Sequence, residues 1–157
     1  VDNGAVRAAF EELDLSALVA DELLPFEPLF FEGGLTLESQ LEDALHISGS
    51  DRHLRQVLTI LLDNALRYSP ENAAVRVALT RQGSSALLTV TNPGQLTKEQ
   101  CRSIFRRFYR ADPARTAGGS GLGLAIAQGI ALDHGGKIWA DSREGTVTLS
   151  VCLPLIK

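Results

Sequence analysis

A cluster of glycines at residues 118–123 constrains the fold of this chain more than any other feature. It reads Gly-Gly-Ser-Gly-Leu-Gly and runs directly into an apolar helical pattern over residues 124–127. Glycine has no Cβ and adopts positive φ freely, so the backbone here can approach a ligand closely. A helix that begins at this point directs unpaired N–H groups and its positive dipole end at the same place. This arrangement suits a phosphate, although a flexible loop before a tightly packed helix would also produce it.

Two common phosphate-binding motifs do not match the glycine cluster. No Gly-Lys-Ser or Gly-Lys-Thr follows it, so it is not a Walker A loop. Its spacing is G-x-G-x-G, and residues 105–116 before it lack the pattern of a strand, which argues against a dinucleotide fingerprint.

Composition excludes several classes of protein. The 157 residues suffice for one domain with a core, and the net charge of −4 argues against nucleic-acid binding. No apolar run is long enough to span a bilayer and no signal peptide is present, so we expect a segment that is not membrane-inserted. Cys101 and Cys152 are expected to be free thiols. The chain lacks Met even at position 1, which indicates a fragment of a longer protein.

The first half of the chain predicts helices with two short strands between them. Residues 1–12 are expected to end a preceding helix or to form a linker, and residues 13–157 to form the domain. Apolar spacing predicts a helix over residues 15–31, which Pro25 and Pro28 should bend or shorten. Strands are expected at 35–38 and 44–47. A strongly amphipathic helix follows, with Asp51 as its cap and Ser69 and Pro70 at its end.

The second half predicts most of the sheet. Residues 75–79 and 87–91 alternate between apolar and polar, as half-buried strands of a hairpin do. A short helix is expected at 98–105, a longer one from the glycine cluster to His134, and two strands at 137–140 and 146–153. The simplest architecture for this order is α+β, with helices packed on one face of a mostly antiparallel sheet.

A second stripe of residues flanks the core face of the helix over residues 51–68. It contains Ile60, Asn64, Arg67 and Tyr68. An amide oxygen can coordinate Mg²⁺, a guanidinium can meet phosphate, and Tyr68 offers a flat ring with a polar tip. A helix-edge Asn beside a solvated Arg and Tyr would give the same pattern.

Four motifs in order resemble those of sensor histidine kinases. Residues 54–70 resemble the N box, 104–110 the F box, 119–124 the second glycine box and 134–138 the segment that follows it. Residues 13–19 are similar to the join between phosphoacceptor helices and catalytic domain. The resemblance implies the Bergerat-type ATP-binding fold shared with gyrases and chaperones. That fold is a two-layer α/β sandwich whose mixed, mostly antiparallel sheet carries about three helices on one face.

The resemblance also implies roles for residues of the N and F boxes. Asn64 would coordinate Mg²⁺, Arg67 would lie near the phosphates, and Tyr68 would pack on adenine. Phe105 and Phe108 would anchor an ATP lid over about residues 110–119, although core packing alone also explains them. The arginines that would reach the phosphates from the base of the lid are Arg107 and Arg110.

The second glycine box would line the triphosphate. Gly119, Gly121 and Gly123 would bring the helix N-terminus to it, with Leu122 and Leu124 between and after them. The implied ligands are therefore ATP and Mg²⁺.

The base-reading motif departs from the family pattern. The family usually has Asp-x-Gly-x-Gly, whereas this chain has Thr91-Asn92-Pro93-Gly94, one residue short. Asn92 most simply takes the Asp position, because its amide oxygen can still accept a hydrogen bond from adenine. An ungapped alignment puts Thr91 there instead.

Ile60 is the second departure. Kinases of the family commonly have Asn here, and the superfamily's ATP hydrolases have a general-base Glu. Isoleucine cannot activate water, so the sequence disfavours an ATP hydrolase and favours phosphoryl transfer to an external acceptor.

The resemblance implies a kinase fragment that donates the γ-phosphoryl of ATP to a histidine elsewhere. His46, His53 and His134 lack the phosphoacceptor context and are interpreted as structural. The implied partners are the dimerisation and phosphoacceptor domain of the same kinase and a downstream response regulator, in the cytoplasmic part of a membrane-anchored protein. The alternative is a degenerate or regulatory nucleotide-binding module, which Asn92 and Ile60 motivate.

Overall fold

Five helices and seven strands make up the described part of the chain. The structure is a computed structural model and describes residues 10–107, 109 and 122–156. The helices are α1 (Leu15–Leu23), α2 (Phe26–Glu32), α3 (Asp51–Tyr68), α4 (Lys98–Ser103) and α5 (Gly123–Asp133). The strands are β1 (Glu11–Asp14), β2 (Thr36–Leu41), β3 (His46–Gly49), β4 (Ala74–Gln82), β5 (Ser85–Pro93), β6 (Lys137–Arg143) and β7 (Thr146–Pro154).

The main sheet has five strands in the order β2-β4-β5-β7-β6. Only the β2–β4 pair is parallel, and the other three pairs are antiparallel. β1 and β3 form a separate antiparallel pair. The expected mixed, mostly antiparallel sheet is therefore confirmed.

One face of the main sheet carries the core. Alternate residues of the central strands are buried and lie next to one another in register: Val77 pairs with Val90, and Val90 with Leu149. The opposite residues, such as Thr91 and Thr148, lie on the other face. This period-two alternation is what made the strands predictable.

The helices form the second layer. α3 packs between α1 and α5, while the short α2 and α4 lie beside β2 and β6 at opposite edges of the sheet. The core side of α3 is fully apolar, with Leu54, Leu58, Leu61 and Leu62 at most 2% exposed. The expected layer of about three helices on one face corresponds to α1, α3 and α5.

Several sequence-based expectations need correction. Glu11 and Glu12 belong to β1 rather than to a preceding helix, because β3 supplies the partner that a polar segment needs to form a strand. The domain boundary after residue 12 stays a prediction. The strands expected at 35–38 and 44–47 begin later and extend further, as Thr36–Leu41 and His46–Gly49.

Helix ends also differ from expectation. The helix expected over residues 15–31 is two helices, because α1 ends at Leu23 and Pro25 precedes α2. Pro28 is tolerated in the first turn of α2, where its missing N–H would have no acceptor. Ser50 rather than Asp51 caps α3, since its hydroxyl accepts from the N–H of His53. α4 ends at Ser103, two residues before the expected end.

The remaining expectations on composition are partly tested. Cys101 and Cys152 are both free, and burial raises the pKa of the Cys101 thiol. Within the described residues, none of the helices combines the length and apolar character needed to cross a bilayer.

Candidate nucleotide-binding site

Two contacts fix α5 against α3 in an antiparallel arrangement. At one end, a Cβ added to Gly123 would lie 3.4 Å from Cγ2 of Ile60. At the other end, the N–H of Ser50 donates to Nε2 of His134 over 3.0 Å. The start of α5 therefore faces the middle of α3, and Asn64 lies one turn further along α3 than Ile60.

Asn64 is placed to meet a ligand. It is half-buried, and its side chain makes no hydrogen bond within the described part of the chain. Its amide atoms are also not sealed from solvent, since Ser69 alone among the described residues has a fully buried and unpartnered side-chain polar atom. Among the described residues nothing binds its amide oxygen, which can coordinate a cation or accept a hydrogen bond.

Arg67 and Tyr68 lie on the next turn of α3. The Nε atom of Arg67 pairs with Asp63 over 2.9 Å. Tyr68 is 40% exposed, which leaves part of its ring accessible to a ligand. The structure thus places three of the predicted residues, Asn64, Arg67 and Tyr68, along one side of the C-terminal half of α3.

At the end of β5, the side chains of Asn92 and Thr91 face opposite sides of the sheet. Asn92 continues the inward row of β5 on the sheet face that α3 covers, and it is 8% exposed. Its Nδ2 donates to the carbonyl of Pro93 over 2.9 Å. The hydroxyl of Thr91 lies on the opposite face, 3.1 Å from that of Thr148.

The segment after β5 is held against the β6–β7 hairpin. The N–H of Gly94 donates to the carbonyl of Gly145 over 2.9 Å, and that of Leu96 donates to the Ser142 hydroxyl over 3.0 Å. Gly94 lies beside Asn92, since a Cβ on Gly94 would be 3.8 Å from Nδ2 of Asn92.

The described residues of the F box differ in burial. Phe105 is 7% exposed and packs into the core, whereas Arg107 is exposed. Phe108, Arg110, Gly119 and Gly121 were predicted as site residues and lie outside the described residues. Leu122, Gly123 and Leu124 begin α5 and are half-buried.

The start of α5 is suited to an anion. Within the described residues, no side chain caps this helix, and the N–H of Ile126 donates to the carbonyl of Leu122 over 2.9 Å. The first-turn N–H groups therefore lack intrahelical acceptors, and the dipole of an 11-residue helix adds positive potential there. The described residues contain no cluster of three or more His, Cys, Asp or Glu that could hold a metal.

Sequence reasoning missed the contacts that assemble this site. The Gly123–Ile60 contact joins two helices that are far apart in sequence, so local sequence patterns do not predict it. The Ser142 hydroxyl that holds Leu96 gave no signal either. The N-cap at Ser50 did have a sequence signal, because Ser and Asp are both good N-caps and Ser50 and Asp51 are adjacent.

Comparisons with known proteins identify the family of this chain. Residues 49–157 match the family described as "Histidine kinase-, DNA gyrase B-, and HSP90-like ATPase". The sensor protein DltS of Streptococcus agalactiae is 36% identical over 99% of this chain and 40% of its own length. The signal transduction histidine-protein kinase BaeS of Escherichia coli is 34% identical over 98% of this chain and 34% of its own length. The chain thus spans 40% or less of these two relatives.

Solved structures give the same result. The catalytic domain of histidine kinase ThkA superimposes with a TM-score of 0.84 at 27% identity, covering 92% of this chain and 95% of that one. A mycobacterial sensor histidine kinase, MprB, gives 0.82 at 27% identity and covers 92% of this chain and 98% of that one. The chain belongs to the family of histidine kinase-, DNA gyrase B- and HSP90-like ATPases, and within it to the ATP-binding domains of two-component sensor kinases.

Proposed function

We propose that this chain binds Mg-ATP beside α3 and α5 and donates the γ-phosphoryl group to a histidine on the phosphoacceptor domain of the same sensor kinase. The observation that carries the proposal is the contact of Gly123 with Ile60. It brings the uncapped N-terminus of α5 to within one turn of Asn64. The kinase relatives favour this function over a degenerate or regulatory nucleotide-binding module.

The residues at hand fit Mg²⁺ bound together with a nucleotide. Mg²⁺ keeps several waters and usually takes only one or two protein ligands, with phosphate oxygens as the others. Asn64 offers one hard oxygen ligand, and Ile60 leaves the neighbouring position to water. When bound, Mg²⁺ would neutralise charge on the transferring phosphoryl group. The N-terminus of α5 and the cationic side chain of Arg67 would hold the phosphates.

Adenine would lie towards the end of β5. Asn92 faces the helix layer, so its amide oxygen can accept from the adenine amino group. Its burial strengthens such a bond, because water competes less there. Tyr68 offers a partly exposed ring on which the base can pack, and Gly94 lies next to Asn92.

The chain supports transfer to an external acceptor rather than hydrolysis. Ile60 stands where the superfamily's hydrolases have their general base, and it has no group that can take a proton. Catalysis would then rest on positioning and charge neutralisation. The acceptor histidine would belong to the dimerisation domain, since His134 is buried and His46 and His53 lie on β3 and α3, away from the glycine end of α5.

The partners follow from the kinase relatives. A solved complex contains the kinase ThkA with the response regulator TrrA, and in that structure ThkA aligns with 94% of this chain at 25% identity. We propose that the kinase containing this domain likewise passes its phosphoryl group to a response regulator, and that the domain works on the cytoplasmic side of a membrane-anchored sensor. Residues 13–157 would form the catalytic domain.

Titration calorimetry with Mg²⁺ and a non-hydrolysable ATP analogue tests the binding step. We expect saturable binding for the natural chain and loss of the Mg²⁺-dependent part in Asn64→Ala. Thr59→Ala is the matched control, because Thr59 is an exposed residue of the same helix that bonds Glu22. Absence of saturable binding up to millimolar analogue would contradict the proposal.

Transfer is tested by adding a phosphoacceptor domain. The chain, radiolabelled ATP and the separately purified dimerisation domain of the kinase should yield acid-labile phosphohistidine on that domain. Release of inorganic phosphate without labelling of the domain would instead identify a hydrolase.

A further inference from the structure

We infer that His134 is a positioning residue of the nucleotide site. Its ring joins the C-terminal end of α5 to the start of α3, and so sets how the N-terminal end of α5 at Gly123, the glycine end, faces Asn64. The inference rests on the proposed function. His134 is far from the glycine end of α5 and would touch neither nucleotide nor metal.

Both ring nitrogens of His134 have fixed partners. Nδ1 donates to the carbonyl of Ile130 over 2.8 Å, and Nε2 accepts from the N–H of Ser50 over 3.0 Å. A carbonyl only accepts and an N–H only donates, so the ring is neutral with its proton on Nδ1. The ring also stacks on Phe10, with centroids 4.4 Å apart and planes inclined by 26°.

The space for this ring is built into β3. A Cβ on Gly49 would lie 2.8 Å from Cδ2 and 3.0 Å from Nε2 of His134. Glycine is therefore the residue that lets the imidazole reach the Ser50 N–H. His134 itself is 6% exposed.

The bridge and the glycine contact lie at opposite ends of the same helix pair. Ser50 to Ile60 spans about 15 Å of α3, and Gly123 to His134 spans about 16 Å of α5. Two contacts that far apart fix the tilt of α5 as well as its distance from α3. If the His134 end is released, α5 can tilt and its N-terminus moves relative to Asn64.

Protonation would break the bridge. A proton on Nε2 would oppose the Ser50 N–H donor, since both groups would then be donors. Burial lowers the pKa of His134, His53 at the start of α3 lowers it further, and the Ile130 carbonyl and Asp133 act in the opposite direction. The bridge is therefore intact at neutral pH and lost as the solution becomes acidic.

A pair of substitutions separates the bridge from simple packing. His134→Gln puts an amide oxygen near the position of Nε2, so it keeps an acceptor for Ser50 but cannot titrate. His134→Asn keeps a donor near Nδ1 for Ile130 and loses the acceptor for Ser50. The dissociation constant of the Mg²⁺ complex of a non-hydrolysable ATP analogue is measured at about pH 7.5 and at the lowest pH at which the natural chain and the variants stay folded, because the pKa of His134 lies below the ordinary histidine value. Thermal melts verify folding.

The expected result is specific. At the higher pH, the Gln variant binds within about twofold of the natural chain and the Asn variant at least about fivefold more weakly. Acidification weakens the natural chain by several-fold more than the Gln variant, which shares the titration of the ligand. If the Asn variant does not fold, Gly49→Ala takes its place, because its Cβ would clash with the His134 ring and with Cδ1 of Leu54.

Three outcomes overturn the inference. One is equal affinity of the Gln and Asn variants, another is parallel pH dependence of the natural chain and the Gln variant, and the third is unchanged affinity in Gly49→Ala if that variant is used. Absence of nucleotide binding by the natural chain is distinguishable from these, since it refutes the proposed function itself.

Discussion

Replacing Asn92 with Asp should tighten nucleotide binding and destabilise the nucleotide-free domain. Asn92 faces the helix layer and is 8% exposed, so a carboxylate there would be largely shielded from water. A hydrogen bond to a charged acceptor is worth about 1.5–3 kcal/mol and one to a neutral acceptor about 0.5–1.5 kcal/mol. The difference of about 1–1.5 kcal/mol corresponds to roughly tenfold in Kd.

The cost of the same substitution follows from the existing contact. The Nδ2 donor of Asn92 reaches the Pro93 carbonyl over 2.9 Å, and a carboxylate would place two acceptors against each other. Losing this bond and burying a charge should cost about 1–3 kcal/mol in the free energy of unfolding. That corresponds to a fall in Tm of about 2–4 °C for each kcal/mol.

Titration calorimetry and thermal melts measure the two effects, with Thr91→Asp as the matched control. Thr91 is the adjacent residue of the same strand but faces the other side of the sheet. Its replacement should leave the Kd for the ATP analogue unchanged. Weaker or unchanged binding in Asn92→Asp would refute the reasoning, and tighter binding in Thr91→Asp would show that Thr91 holds the base-reading position.

The other expected outcomes concern stability. Gly136→Ala should lose at least about 2 kcal/mol, because its Cβ would lie 2.0 Å from the carbonyl of Cys152; a normal urea midpoint would contradict this. Gly129→Ala, with nothing within 4 Å of its Cβ, should instead gain about 0.5–1 kcal/mol in the same assay. Arg55→Ala removes ion pairs with Asp21, Glu22 and Asp51, so it should lower the free energy of unfolding by at most about 1 kcal/mol, and by less at high salt. It should leave nucleotide affinity intact. A large loss of stability at high salt would show that the packing of Arg55 matters more than these pairs. Burial lowers the pKa of His134 from 6.5, so the unfolded chain binds more protons than the folded one as the solution becomes acidic. The free energy of unfolding should therefore fall as pH decreases below about 6.5. If urea titrations show the same pH dependence of stability in His134→Gln, this residue is not the cause.

Local sequence patterns predicted the helices and strands that have one buried face and one exposed face. β4, β5 and α3 bury one side and expose the other, so their periods of two and 3.6 residues appear in the sequence. β1 was missed because its four residues, Glu-Glu-Leu-Asp, carry three carboxylates and form a strand only through pairing with β3. Pro25 predicted a disturbance of the first helix, but a separate second helix after it depends on how Phe26 and Phe30 pack into the core.

The candidate site was predicted as motifs but not as an arrangement. Asn64 was identified from its place on the helix and Asn92 by resemblance, and the two-residue periodicity of β5 decides that Asn92 faces the helices. The antiparallel contact of α5 with α3 depends on tertiary packing at Gly123 and His134, which no sequence window contains. The buried bridge from His134 to Ser50 was invisible for the same reason.

The central claim is that a Mg-nucleotide binds beside Asn64 at the start of α5. Its most direct test is nuclear magnetic resonance of the isotope-labelled chain titrated with a non-hydrolysable ATP analogue and Mn²⁺ in place of Mg²⁺. We expect the paramagnetic ion to broaden the side-chain amide of Asn64 and the backbone amide of Gly123 first, while Glu12 and Asp21 at β1 and α1 are unaffected. Broadening that is absent near Asn64 and strongest around β1 and α1 would contradict it.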